Sequence, residues 1–235
     1  ITTISIVHNE TTSGLINDLV SVSEVVKNRK LRFIVDAMSS FGAVDVNVAE
    51  LGIDFLISSA NKCIQGVPGF SFIIARREAL TATEGNARTI SLDLHSQWKT
   101  MEKDNGKWRF TSPTHVVAAF AQALKELQQE GGVTVRGERY AATNRKLREG
   151  MRALGFEPFV SEAFQGPIIT TFLYPEGRNL DFKHMHHWLK EQGYVIYPGK
   201  LTDRDTFRIG NIGEIYDADA DRILELFAQY TKEFM

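Results

Sequence analysis

Cysteine is nearly missing from this chain. Its 235 residues hold one, Cys63, which excludes an internal disulfide and a cysteine-based zinc site and fits a reducing cytoplasm. No apolar run is long enough to span a bilayer, and no secretory signal pattern is visible, so no membrane partner is expected. An excess of one charge sign is also lacking: the formal net charge is −2 and the pI about 6.3. That argues against nucleic acid or an anionic surface as partner. Repeats and low-complexity stretches are absent. What remains is ordinary globular composition, 43% hydrophobic and 24% charged, and enough length for one large domain or two modest ones.

Strand-like and helix-like segments alternate through the first half. Residues 2–7 are rich in β-branched side chains and predict a buried strand. It delivers the polar cluster His8-Asn9-Glu10-Thr11-Thr12-Ser13-Gly14, a loop with several possible caps for a helix through Leu15, Leu19, Val22 and Val26. A second strand ends at Asp36, a third covers 54–58, and a fourth covers 70–75. The fourth follows a tight turn and is a candidate antiparallel member. Such alternation predicts a mostly parallel sheet. Helices are expected from 78 and over 92–103. A further helix starts at Ser112-Pro113, with Val116, Val117, Phe120, Leu124 and Leu127 on one face. A charged helix over 137–154 contains the expected domain boundary. Beyond it come strands near 157–160, 168–174, 194–197 and 206–209 and helices over 181–192 and 218–232, an α+β pattern. The division is thus 1–145 and 146–235. The first residue, Ile1, lies inside a strand-like run, so a further upstream segment is expected.

The chemistry centres on Lys62. An apolar strand runs into Ser58-Ser59-Ala60-Asn61-Lys62-Cys63-Ile64-Gln65-Gly66-Val67-Pro68-Gly69, with small neighbours before the lysine and a Gly/Pro turn after it. Upstream, Phe33-Ile34-Val35 ends in Asp36. In open α/β sheets ligands bind outside the carboxyl ends of the strands, where both residues are predicted. An aspartate and a lysine so placed suit pyridoxal 5′-phosphate: the amine takes the aldehyde and the carboxylate keeps the ring nitrogen protonated.

Four stretches together are specific. Asp36-Ala37-Met38-Ser39-Ser40-Phe41-Gly42, the lysine stretch 58–69, Ser91-Leu92-Asp93-Leu94 and Arg109-Phe110-Thr111-Ser112-Pro113-Thr114-His115 resemble the class V aminotransferases along essentially the whole chain. The resemblance implies the aspartate-aminotransferase fold, α/β, with a mostly parallel sheet in the large domain and a smaller C-terminal α+β domain. It is tightest to the branch that moves the amino group of 2-aminoethylphosphonate to pyruvate. It implies Lys62 as the catalytic and cofactor-bearing residue and Asp36 as the partner of the ring nitrogen. Thr11 is placed against the ring and is equally an N-cap. Ser59 is a phosphate contact or an ordinary pre-turn serine. Thr111 is a phosphate contact in the other subunit of a homodimer or a helix cap. Arg208, between apolar residues and before glycines, is the substrate-anion arginine or an edge-strand charge. The family also carries a long N-terminal segment with a glycine-rich phosphate loop and a ring-stacking residue, and neither motif precedes His8.

Other residues receive plain readings. His8 reads as a structural histidine at a strand end, and Cys63 as a packing residue. His184 and His187 share a helix face, but no nearby carboxylate completes a metal site. Two competing functions share this sequence: an alanine– or serine–glyoxylate aminotransferase, and a non-catalytic fold partner.

Overall fold

The computed structural model describes residues 1–235. Four strands, β1 (Thr3–Val7), β2 (Arg32–Asp36), β3 (Phe55–Ser59) and β4 (Ser71–Ala75), form one sheet in that order. β1, β2 and β3 are parallel, and β4 is antiparallel to β3. Helix α1 (Leu19–Arg29) crosses between β1 and β2. Leu19, Val26, Phe33, Val35, Ala37, Ile53 and Leu56 close the core between helix and sheet. At the sheet's amino end the buried carboxylate of Asp54 accepts the Phe33 N–H at 2.8 Å and pairs with Arg76, so the one acid in this core is fully committed.

α1 begins later than its apolar spacing suggests. Asp18, not the 11–13 cluster, accepts from the Val20 and Ser21 N–H groups and caps it. Leu15 and Ile16 instead bridge to Gln165 and Asn9. Helix α2 (Arg77–Thr81) is a single short turn, and α3 (Leu94–Lys103) follows with Asp93 as its cap. α4 (Thr114–Glu130) and α5 (Gly132–Ala153) are separated only by Gly131, at φ 114°, where a side chain would be strained. α5 therefore starts five residues earlier than predicted. Pro113 sits just outside α4 rather than in its first turn, and no side chain caps that end. Leu127 is buried as expected, but Leu124, expected on the same face, is 42% exposed, and Ala123 is buried in its place.

The second sheet is antiparallel, in the order β5 (Ile169–Leu173), β7 (Thr206–Gly210), β6 (Tyr197–Pro198). Helices α6 (Phe182–Glu191) and α7 (Asp217–Phe234) pack with it around fifteen buried residues, all at or beyond Leu147. Phe172 stacks on Phe207 at 5.7 Å, and Phe156 meets Phe207 edge-on at 5.5 Å. Two expected strands shrink here. The 157–160 segment is reduced to a bridge at Pro158, and 194–197 to the pair Tyr197–Pro198. The first holds Pro158, which cannot donate to a ladder.

Candidate active site

The carboxyl ends of β1, β2 and β3 each open into a polar loop, and contacts gather these loops. The His8 N–H donates to the Asp36 carbonyl at 2.8 Å, and the Ala37 N–H to the Ile57 carbonyl at 2.9 Å. The Ser39 hydroxyl donates to the Asn9 carbonyl at 2.6 Å. The Cys63 thiol lies 3.3 Å from the Ser39 carbonyl. Asp36 and Lys62 thus stand on the loops of neighbouring strands, in one cluster.

The charges in that cluster are not spent on each other. Asp36 Oδ1 accepts the Met38 N–H at 2.9 Å, and the other oxygen has no partner. Ion pairs to lysine occur only at Lys146, so the half-buried Lys62 ammonium is uncommitted. Ser59 Oγ is buried and makes no hydrogen bond, a rare state for a hydroxyl that lacks an outside ligand. Gly66 belongs to the same turn; a Cβ there would lie 2.6 Å from the Ala60 carbonyl. An orphaned hydroxyl, a free carboxylate and a free amine on one rim fit a planar, aldehyde-bearing, phosphorylated ring.

Arg208 reaches this rim from the second sheet. It is 6% exposed. Nη1 donates to the Thr11 carbonyl at 2.8 Å and Nε to the Pro198 carbonyl at 3.0 Å. Its guanidinium carbon lies 5.7 Å from the Tyr197 ring centroid. Burial works against its charge, and Tyr197 and Glu10 offset this in part. Nη2 makes no bond to protein, leaving donors for an anion. Thr11 takes part through its carbonyl; its hydroxyl is unpaired, whereas Thr12 donates to Glu10 at 2.9 Å. With α1 capped by Asp18, the N-cap reading of Thr11 is set aside.

Thr111 stands apart. It is exposed, precedes the uncapped end of α4, and makes no hydrogen bond to the other site residues. Its connection is indirect: Val116 in the first turn of α4 packs on Gly69, where the lysine turn ends.

His8 is buried, with Nδ1 2.9 Å from Ser40 Oγ, and burial pushes its pKa down to about 4. A histidine that is neutral when folded but takes a proton when unfolded destabilises the fold as pH falls. We expect ~3 kcal/mol of stability to be lost between pH 6.5 and 4 on this account. Urea unfolding of wild type and His8→Asn at both pH values measures it, and equal slopes in the two proteins would refute it. Burial likewise pushes the Cys63 thiol up to about 12, so it stays protonated and packs as an apolar group. No cluster of His, Cys, Asp and Glu side chains in the structure could hold a metal ion.

Sequence reading does not find the polar groups beneath the lysine turn. Arg136 and Tyr140 on α5, and Asn144 and Asn211 behind them, are buried and bonded into this region. Their one signal is a tyrosine in the helix read only as charged over 137–154, with Arg136 one residue before its expected start.

The family model for aminotransferase class-V matches residues 1–203. The chain is 55% identical over 235 residues to a 2-aminoethylphosphonate–pyruvate transaminase of Klebsiella pneumoniae, covering 99% of this chain and 64% of that protein. It is 58% identical over 226 residues to a transaminase of the same name from Bacteroides fragilis, covering 96% and 62%. The chain thus spans less than two thirds of the length of these curated relatives. Aspartate aminotransferase of subgroup IV from Thermus thermophilus superposes with a TM-score of 0.87 at 23% identity, over 100% of this chain and 65% of that one. The sheet order, the loops gathered at the strand ends and the match over most of the sequence agree: this chain belongs to the class-V aminotransferase family and has the aspartate-aminotransferase-like fold.

Proposed function

We propose that this chain carries the catalytic lysine of a pyridoxal-phosphate-dependent transaminase that moves the amino group of 2-aminoethylphosphonate to pyruvate, giving phosphonoacetaldehyde and L-alanine. The observation that carries this reading is the pair Asp36 and Lys62, opposite charges on adjacent strand ends with no mutual or outside ion pair. The identity of the amine rests on relatives 55–58% identical that bear that name.

When bound, pyridoxal phosphate supplies an electron sink that makes the proton on the amine-bearing carbon removable. Lys62 would hold the cofactor by its aldehyde and would move that proton as general base and acid. Asp36 would hold the proton on the ring nitrogen. Ser59 and Thr11 would take phosphate and ring contacts, and Thr111 would serve the phosphate of the partner subunit in a homodimer. The uncapped N–H groups at the start of α4 suit an anion and support that placing. Arg208 would orient phosphonate and then carboxylate with its free N–H groups. Because both substrates use one pocket in turn, the kinetics are ping-pong.

The division into 1–145 and 146–235 is part of the same reading, supported by a core that gathers from Leu147 onward. A cytoplasmic enzyme is consistent with one buried, unpaired cysteine. No helix is long and apolar enough to cross a membrane.

The test is steady-state turnover by the full-length protein. With 2-aminoethylphosphonate and pyruvate we expect kcat/KM about 100-fold above that with serine and glyoxylate, since a site built around a dianion rejects a smaller amine. The reverse ranking would reassign the protein as a glyoxylate aminotransferase. No turnover with either pair, and no cofactor absorbance band in a folded sample, would mean a non-catalytic partner.

A further inference from the structure

We propose that Arg136, assisted by Tyr140, is the positioning residue for Lys62. The proposal rests on the assignment of Lys62 made above and deepens it.

A lysine side chain has four rotatable bonds, so it delivers its amine accurately only if its backbone is fixed. Here the carbonyls of Lys62 and of the two residues after it are all taken. The Gln65 N–H donates to the Lys62 carbonyl at 2.8 Å. One guanidinium nitrogen, Nη1 of Arg136, donates to the Cys63 carbonyl at 3.0 Å and the Ile64 carbonyl at 3.2 Å. Gln65 then adopts φ 64°, an uncommon left-handed conformation for a non-glycine residue. Its side-chain amide is held by donating to the Tyr140 hydroxyl. That hydroxyl also accepts the Gly213 N–H at 3.1 Å, on the loop that leaves the Arg208 strand.

The clamp itself is anchored. Arg136 is 1% exposed, and its Nε donates to Glu130 Oε2 at 2.7 Å. Burial opposes ionisation of Glu130, but hydrogen bonds from Arg139 and Arg136 outweigh it and hold the carboxyl below its ordinary range. One residue along, Gly137 presses its backbone on the Ala43 carbonyl, where a Cβ would lie 2.1 Å away. The first turns of α5 therefore bear on the loop after β2, which begins at Asp36, and on the loop after β3, which carries Lys62.

Stability alone does not account for this arginine. Apolar side chains of similar volume commonly replace buried ion pairs without loss of stability. The two carbonyls that Arg136 satisfies belong to the residues directly after the lysine. A guanidinium can hold both with Nη1 while its Nε stays on Glu130; an ammonium has a single nitrogen for all three acceptors.

The experiment uses the full-length protein, with Arg136→Met, Arg136→Lys and Tyr140→Phe. Two quantities are followed beside the melting temperature. One is the rate at which pyridoxal phosphate becomes attached at Lys62, trapped with borohydride and located by peptide mass spectrometry. The other is the split between kcat and KM for 2-aminoethylphosphonate. We expect Arg136→Met to slow attachment about tenfold and lower kcat about 100-fold, with KM changed less than about threefold. Arg136→Lys should recover part of both. A folded Arg136→Met protein within twofold of wild type in both quantities overturns the proposal. So do losses that follow melting temperature and gain nothing from lysine. Should Arg136→Met fail to fold, Tyr140→Phe decides: about tenfold lower kcat at unchanged KM supports the clamp, and unchanged kcat overturns it. Attachment at a residue other than Lys62 in the wild type would instead remove the underlying assignment.

Discussion

Lys62→Ala should lower kcat for the proposed amino transfer by about 10,000-fold, the range of a lost general acid–base group, and leave the melting temperature of the cofactor-free protein unchanged. The two halves of that expectation come from the same geometry. The ammonium makes no ion pair and no hydrogen bond within the protein, so its removal breaks no polar contact of the fold. The backbone of its turn is held independently through Cys63, Ile64 and Gln65, so alanine leaves that turn in place. Rapid-quench assay of a single turnover, with thermal unfolding by circular dichroism, checks both. A drop of under tenfold would remove Lys62 from the chemistry. A large drop in melting temperature would show that the side chain has a structural role.

Arg208→Lys should lower kcat/KM for 2-aminoethylphosphonate by about 100-fold, expressed mainly in KM. The charge is retained and the fork is lost. Arg208 commits Nη1 and Nε to the Thr11 and Pro198 carbonyls, which sets the plane of the guanidinium and presents Nη2 in a fixed direction. A lysine keeps neither the plane nor the second donor. Truncating one member of a buried charge pair costs 2–5 kcal/mol in general, and a retained charge softens that. Initial rates over a range of amine concentration decide it. An unchanged KM with reduced kcat would mean that Arg208 shapes the rim without meeting the substrate anion.

The parts of this architecture visible in the sequence are those written in local terms. β2 ends in Asp36 and β3 runs into Ser59 and Lys62 because apolar runs stop there at polar and Gly/Pro-rich stretches, a signal that needs no partner. The antiparallel β4 follows from the shortness of its turn. What stays hidden depends on distant residues. Leu15 and Ile16 have helical spacing but bridge to Gln165 and Asn9, so α1 starts where Asp18 can cap it. Pro158 reduces to a bridge a segment whose neighbours look extended. Arg136 is the clearest case. In a helix rich in arginine and glutamate it is indistinguishable from a solvated residue, and only the approach of the lysine turn, 73 positions away, makes it buried. Whether Ser59 Oγ lacks a partner is likewise a property of the assembled rim.

One helix belongs to both halves of the molecule. The early turns of α5 carry Tyr140, packed with Ala43, Cys63 and Ile168; its later turns carry Leu147 and Met151, inside the largest core. A cut at 145/146 would fall mid-helix and strip both cores of a wall. The half bearing Arg208 is therefore not a cassette that recombination can exchange whole. A change in one core therefore reaches the other through a shared axle.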